Sequence, residues 1–122
     1  MRPLALIVED DNSTSLLLQQ VVRTSGLEAI HTEDGAAALG ILEQMTPQVI
    51  ILDILLPQVN GIEVLQFIEQ TPRLNDSLVI VISSHEPTAY GWETNRANLY
   101  YIKPVRVKEL REILQTATNQ AF

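Results

Sequence analysis

Three short runs of apolar, largely β-branched residues set the strongest limit on how this chain can fold: LALIV (4–8), VIIL (49–52) and LVIVI (78–82). Each is continuous rather than alternating, so both faces of the strand it forms must be covered. That is the demand of a parallel sheet packed between helices, not of a half-solvated antiparallel one. Two weaker runs have the same character. LEAIHT (27–32) follows Gly26, and LYYI (99–102) is closed by Lys103 and Pro104.

Helical spacing fills the intervals. Leu16, Leu17, Val21 and Val22 form a stripe behind a cap at Asn12 or Ser13, and Thr24-Ser25-Gly26 supplies the stop. Ala37, Leu39, Ile41 and Leu42 mark a second helix beginning near Asp34. Gly61 precedes a third, with Ile62, Leu65 and Ile68 inward and a halt near Pro72. A final helix, the fifth, runs from about Val105 with Val107, Leu110, Ile113 and Leu114 apolar. The fourth must lie in 84–98, where Pro87 delays its start and Gly91 costs roughly 1 kcal/mol relative to alanine, so a short or irregular helix is expected there. The alternation is (βα)5. Right-handed crossovers then give an α/β, doubly wound sheet of five parallel strands, with its functional crevice beyond the carboxyl ends of the strands.

A chain of 122 residues, 46% of them hydrophobic, suits one domain spanning 1–122. It has no cysteine, which excludes disulfides and thiolate metal sites and favours a cytoplasmic setting. The net charge of −7 argues against direct nucleic-acid binding, which needs a concentrated basic face. The apolar run near the N-terminus is too short for a signal-peptide core or a membrane span, so no membrane association is expected.

The polar residues at the predicted strand ends carry the chemistry. Glu9 and Asp10 end the first strand, Asp53 the third, Ser83 the fourth and Lys103 the fifth. Two carboxylates about 4 Å apart repel by roughly 4 kcal/mol at an effective dielectric near 20, so three together require positive charge. Lys103 supplies one compact cation, and an all-oxygen site with few protein ligands suits hydrated Mg2+. Glu9 and Asp10 are then metal ligands, and Asp53 is both a ligand and a nucleophile able to form an acyl phosphate. The Lys103 ammonium and the Ser83 hydroxyl are suitable partners for the oxygens of a transferred phosphoryl group.

LIVEDD, DILLPQVNG, VIVISS and YYIKPV, in this order and spacing, resemble the receiver domain of two-component response regulators over nearly the whole chain. The resemblance implies the flavodoxin-like strand order 2-1-3-4-5 and Asp53 as phosphoacceptor. It also implies a sensor histidine kinase or phosphotransfer protein as donor, and a switched surface on helix 4, strand 5 and helix 5. The backbone carbonyl of Leu55 would be a further Mg2+ ligand, Ser83 the switch hydroxyl with the small Ser84 beside it, and Tyr100 the aromatic switch. Lys103-Pro104 would match the family's Lys-Pro, usually a cis peptide. On this reading the chain is not a turnover enzyme but a signalling phosphoacceptor that assists its own phosphorylation and dephosphorylation. It acts on a downstream protein target or an output domain in a longer protein, with a homodimer a further expectation.

Less specific roles compete at each position. A lone aspartate after a strand commonly caps a turn, a strand-end serine or lysine is ordinary surface chemistry, and Tyr100 fits simple packing. Asp11 and Asn12 are assigned capping or exposure, His31 and His85 surface or loop positions, and Tyr90 and Trp92 partial exposure. Arg96-Ala97 replaces the family's usual Gly-Ala, and the interval from Ser83 to Lys103 is short for the pattern. A pseudo-receiver, binding partners constitutively without phosphoryl uptake, is therefore the alternative function. A phosphohydrolase would need an acid where Leu55 stands. Leu55 and His85 occupy the positions that in this family influence water attack on the acyl phosphate. Leucine cannot orient a water by hydrogen bonding, so slow self-dephosphorylation is expected. A phosphoryl half-life of only seconds after donor removal contradicts it.

Overall fold

The computed structural model describes residues 3–54, 61–84 and 98–120. Five strands, β1 (Leu4–Val8), β2 (Glu28–Thr32), β3 (Val49–Asp53), β4 (Leu78–Ser83) and β5 (Leu99–Ile102), form one sheet in the order β2-β1-β3-β4-β5. Every neighbouring pair is parallel. The order expected from the resemblance and the parallel arrangement expected from the apolar runs are thus both present. β1, β3 and β4 are almost wholly buried, as unbroken hydrophobicity requires.

Alternate residues on each strand feed two cores. Leu6, Val8, Ile50, Leu52, Val79 and Val81 face one side, where Ala38 and Leu42 of α2 (Gly35–Gln44) and Val64, Leu65 and Ile68 of α3 (Gly61–Glu69) cover them. Ala5, Ile7, Val49, Ile51, Ile80 and Ile82 face the other. That side is closed by Leu18, Val21 and Val22 of α1 (Asn12–Thr24) and by Leu110 and Leu114 of α4 (Val107–Gln120), the fifth helix of the sequence reading. The expected fourth helix, together with Leu55, His85, Tyr90 and Trp92, lies outside the described residues.

Local chemistry sets the helix ends. Of the capping candidates in the sequence it is Asp11, rather than Asn12 or Ser13, that caps α1: its Oδ2 accepts from Thr14 N at 2.8 Å and from Thr14 Oγ1 at 2.6 Å. Asp34 caps α2 by accepting from Ala37 N at 2.7 Å. After α1 the chain turns through Gly26 at φ 95°, the left-handed region open to glycine. At the end of α2, Arg73 in the 3-10 turn Pro72–Leu74 donates to the carbonyls of Leu42 at 2.6 Å and Met45 at 2.8 Å, satisfying acceptors the helix leaves open.

The inward face of α1 differs from the stripe read in the sequence. Leu16 is 66% exposed and Leu17 36%, while Ser15 and Leu18 are buried. The pattern Leu16-Leu17-Leu18 permits more than one inward register, and the one adopted puts small Ser15 inside, where its Oγ accepts from Gln19 Nε2 at 2.9 Å.

Candidate functional site

The sheet register assembles the site. Leu52 pairs with Val8, so Asp53 comes level with Glu9 at the carboxyl edge of the two central strands. Asp53 pairs with Ile82 and Ser83 with Ile102, so Ser83 and Lys103 each stand one residue further along on the neighbouring strands. The backbone ties the edge together: Ile54 N donates to Ile82 O at 3.1 Å, and Lys103 N donates to Ser83 O at 2.8 Å. The Lys103–Pro104 peptide is cis.

Gly61 closes the site from beneath. Its N–H donates to Ile54 O at 2.9 Å. A Cβ here would lie 2.5 Å from Asp53 O, 2.6 Å from Ile54 Cα and 2.9 Å from Ile54 O. Glycine is needed for close approach to the backbone that carries the aspartate, not for an unusual φ.

Lys103 bridges two carboxylates. Its Nζ lies 2.7 Å from Glu9 Oε1 and 2.9 Å from Asp53 Oδ2. Glu9 and Ser83 are fully buried and Asp53 is 4% exposed, whereas Asp10 is exposed at the rim. Glu9 Oε2 accepts from Asp10 N at 3.0 Å. Glu9 Oε1 is buried and held by its ion pair with Lys103.

Burial pushes Glu9 from its ordinary 4.5 up to about 8, and hydrogen bonding to Asp53 adds to the rise against the pull of Lys103. Burial also works against the charge of Lys103, but its bonds to Glu9 and Asp53 prevail and hold its pKa above the usual value. Without a further cation, the site therefore keeps a proton on Glu9 near neutral pH.

Between the ordinary and raised values the native state retains a proton that the unfolded chain releases, so rising pH favours unfolding. The metal-free melting temperature is expected to fall as pH rises from about 5 to about 8. Glu9→Gln should flatten that decline, and added Mg2+ should oppose it most strongly at the alkaline end. A decline that persists unchanged in Glu9→Gln contradicts the assignment.

Carboxylate oxygens of Glu9, Asp10 and Asp53 lie within 4.8 Å of one another. Three hard oxygen donors, two of them buried and one at the exposed rim, fit a divalent cation that retains water.

The structure brings together Glu9, Asp10, Asp53 and Lys103, with Ser83 on the adjoining strand. Leu55 lies outside the described residues. Tyr100 sits on β5, half-buried against the core side covered by α2 and α3. His31 corrects the sequence reading. Rather than a detached surface residue, it is half-buried on β2 with Nε2 2.8 Å from Glu9 O. No local motif signals this, because the contact depends on the pairing of two strands.

A doubly wound parallel sheet in this order is the flavodoxin-like arrangement, here with acids at the carboxyl ends of the central strands β1 and β3 and a lysine following the edge strand β5. The family model for the response regulator receiver domain matches residues 5–115, and the chain belongs to that family. Among curated relatives, response regulator Rcp1 of Synechocystis sp. is 35% identical, over 90% of this chain and 82% of its own. Polar-differentiation response regulator DivK of Brucella abortus is 28% identical, over 95% and 96%. The signal receiver domain of a putative Luxo repressor protein from Vibrio parahaemolyticus superposes with a TM-score of 0.84 at 30% identity, covering 99% of this chain and 93% of that one. The Mn(2+)-bound form of Rcp1 superposes with a TM-score of 0.74 at 32% identity, covering 93% and 90%. Among the described residues no helix is long and apolar enough to cross a membrane.

Proposed function

We propose that this receiver domain accepts a phosphoryl group on Asp53 from a sensor histidine kinase or phosphotransfer protein, in a divalent-dependent reaction for which Mg2+ is the natural ion. The observation that carries the reading is Lys103 Nζ, held 2.9 Å from Asp53 Oδ2 and 2.7 Å from Glu9 Oε1. When bound by Glu9, Asp10, Asp53 and the Leu55 carbonyl, the cation would offset carboxylate charge and share phosphoryl oxygens. The existence of a Mn(2+)-bound form of the relative Rcp1 supports divalent-ion binding in this reading.

In this reading a carboxylate oxygen of Asp53 attacks phosphorus, the bond from phosphorus to the donor breaks, and the leaving group keeps the electron pair and takes up a proton from solvent. Lys103 moves from carboxylate neutralisation to pairing with the new phosphoryl oxygens, joined by the Ser83 hydroxyl. The added charge, roughly −1.5 to −2, biases a population shift in the surface of β5 and α4. Tyr100, half-buried on β5, turns inward as that surface moves. The protein is a phosphoacceptor that assists its own phosphorylation and dephosphorylation, not a turnover enzyme, and it signals to a downstream protein from the cytoplasm.

Incubation with acetyl phosphate and Mg2+ should add one phosphoryl mass that hydroxylamine removes, as it does from acyl phosphates. A hydroxylamine-stable adduct would place the phosphate on another residue type. No adduct at all is the outcome expected of a pseudo-receiver.

A further inference from the structure

We propose that His31 is a positioning residue for the acidic pair, holding the Glu9–Asp10 peptide in the orientation that divalent binding requires. The inference rests on the functional reading above. Pairing between β1 and β2 ends at Val8 with Thr32, so Glu9 lies one residue beyond the ladder. Its N–H is still taken by Thr32 O at 3.1 Å. Its carbonyl is met by a side chain, His31 Nε2, at 2.8 Å. A carbonyl oxygen can only accept, so Nε2 carries the proton and donates.

The peptide gripped in this way is the one that matters. Its oxygen belongs to Glu9 and its N–H to Asp10, and that N–H donates to Glu9 Oε2 at 3.0 Å. Because the peptide group is planar, fixing the oxygen also fixes the N–H direction and the Cα of Asp10. One hydrogen bond from β2 therefore orients the buried carboxylate of Glu9 and the departure of the exposed carboxylate of Asp10. These are two of the three carboxylates whose oxygens lie within 4.8 Å of one another. Without the imidazole, the carbonyl is free to rotate toward water and the Asp10 N–H away from Oε2, which loosens both ligands.

Removing an outer partner of a metal ligand typically weakens metal binding tenfold to a hundredfold. His31→Phe keeps a ring but removes the donor, whereas His31→Gln places an amide N–H within reach of the same carbonyl. Mg2+ titration by calorimetry on the unphosphorylated protein is expected to show His31→Phe binding about tenfold more weakly, with His31→Gln within about threefold of wild type. A role confined to sheet stability predicts lowered melting temperatures with unchanged Mg2+ affinity. His31→Phe binding within about twofold of wild type would overturn the proposal.

Should His31→Phe not fold, the imidazole 15N spectrum of the wild type decides. The neutral ring must carry its proton on Nε2, and its signals must shift on Mg2+ addition. A proton on Nδ1, or signals indifferent to the ion, overturns it. A wild type that takes up no Mg2+ removes the functional reading and this inference together, whereas uptake that is equal in wild type and His31→Phe removes the inference alone.

Discussion

Asp53→Asn should lose phosphoryl uptake to background and, in the absence of metal, become more stable than the wild type. The first effect follows because an amide offers no anionic oxygen to attack phosphorus. The second follows from the charges around Lys103. Asp53 is 4% exposed and Glu9 fully buried, and both compete for one ammonium. When Asp53 is neutral, Glu9 ionises more readily and takes over the pairing with Lys103. The cost of holding a proton on Glu9 at neutral pH is then relieved and the lysine is not orphaned. A gain of about 1–2 kcal/mol is expected in urea unfolding of metal-free protein at neutral pH. Uptake that survives the substitution would place the nucleophile elsewhere. A loss of stability greater than about 1 kcal/mol would mean that Lys103 cannot transfer its pairing to Glu9.

Gly61→Ala should be the most damaging single-methyl change near the site. The new Cβ would meet backbone atoms only, at 2.5 Å from Asp53 O and 2.6 Å from Ile54 Cα, and backbone cannot swing aside as a side-chain tip can. Either α3 moves off the sheet or the Asp53–Ile54 segment moves with its carboxylate. The expected cost is about 2–3 kcal/mol, the upper part of the usual range for overpacking, together with slower phosphoryl uptake. Helix propensity alone predicts the opposite sign, since alanine is the better helix former. Unfolding free energy equal to or above that of the wild type would show that the close approach at Gly61 is not obligatory.

The parts of this fold legible in the sequence are those fixed by chain-local chemistry. Uninterrupted, short and largely β-branched apolar runs at 4–8, 49–52 and 78–82 suit central parallel strands, and the acids that follow the first two must then emerge at one edge, with Lys103 after the weaker run 99–102. Asp34 was readable as the start of α2 for the same reason, because its cap bond spans three residues.

The parts that were not legible depend on geometry between distant segments. Leu16, Leu17 and Leu18 are chemically alike, so only packing against the sheet decides that Leu18 goes inside. Gly61 was visible as a motif glycine, but its reason is the carbonyl of Asp53 beneath it. His31 looked detached because its partner, Glu9 O, is brought to it by strand pairing alone.

The claim on which the account depends is that the three carboxylates become reactive only when a divalent ion joins Lys103 in neutralising them. Intact mass of the wild type after acetyl phosphate treatment, with Mg2+ and with excess chelator, tests it most directly. One phosphoryl group is expected with Mg2+ and none with chelator. Equal modification under both conditions, or none under either, would contradict it.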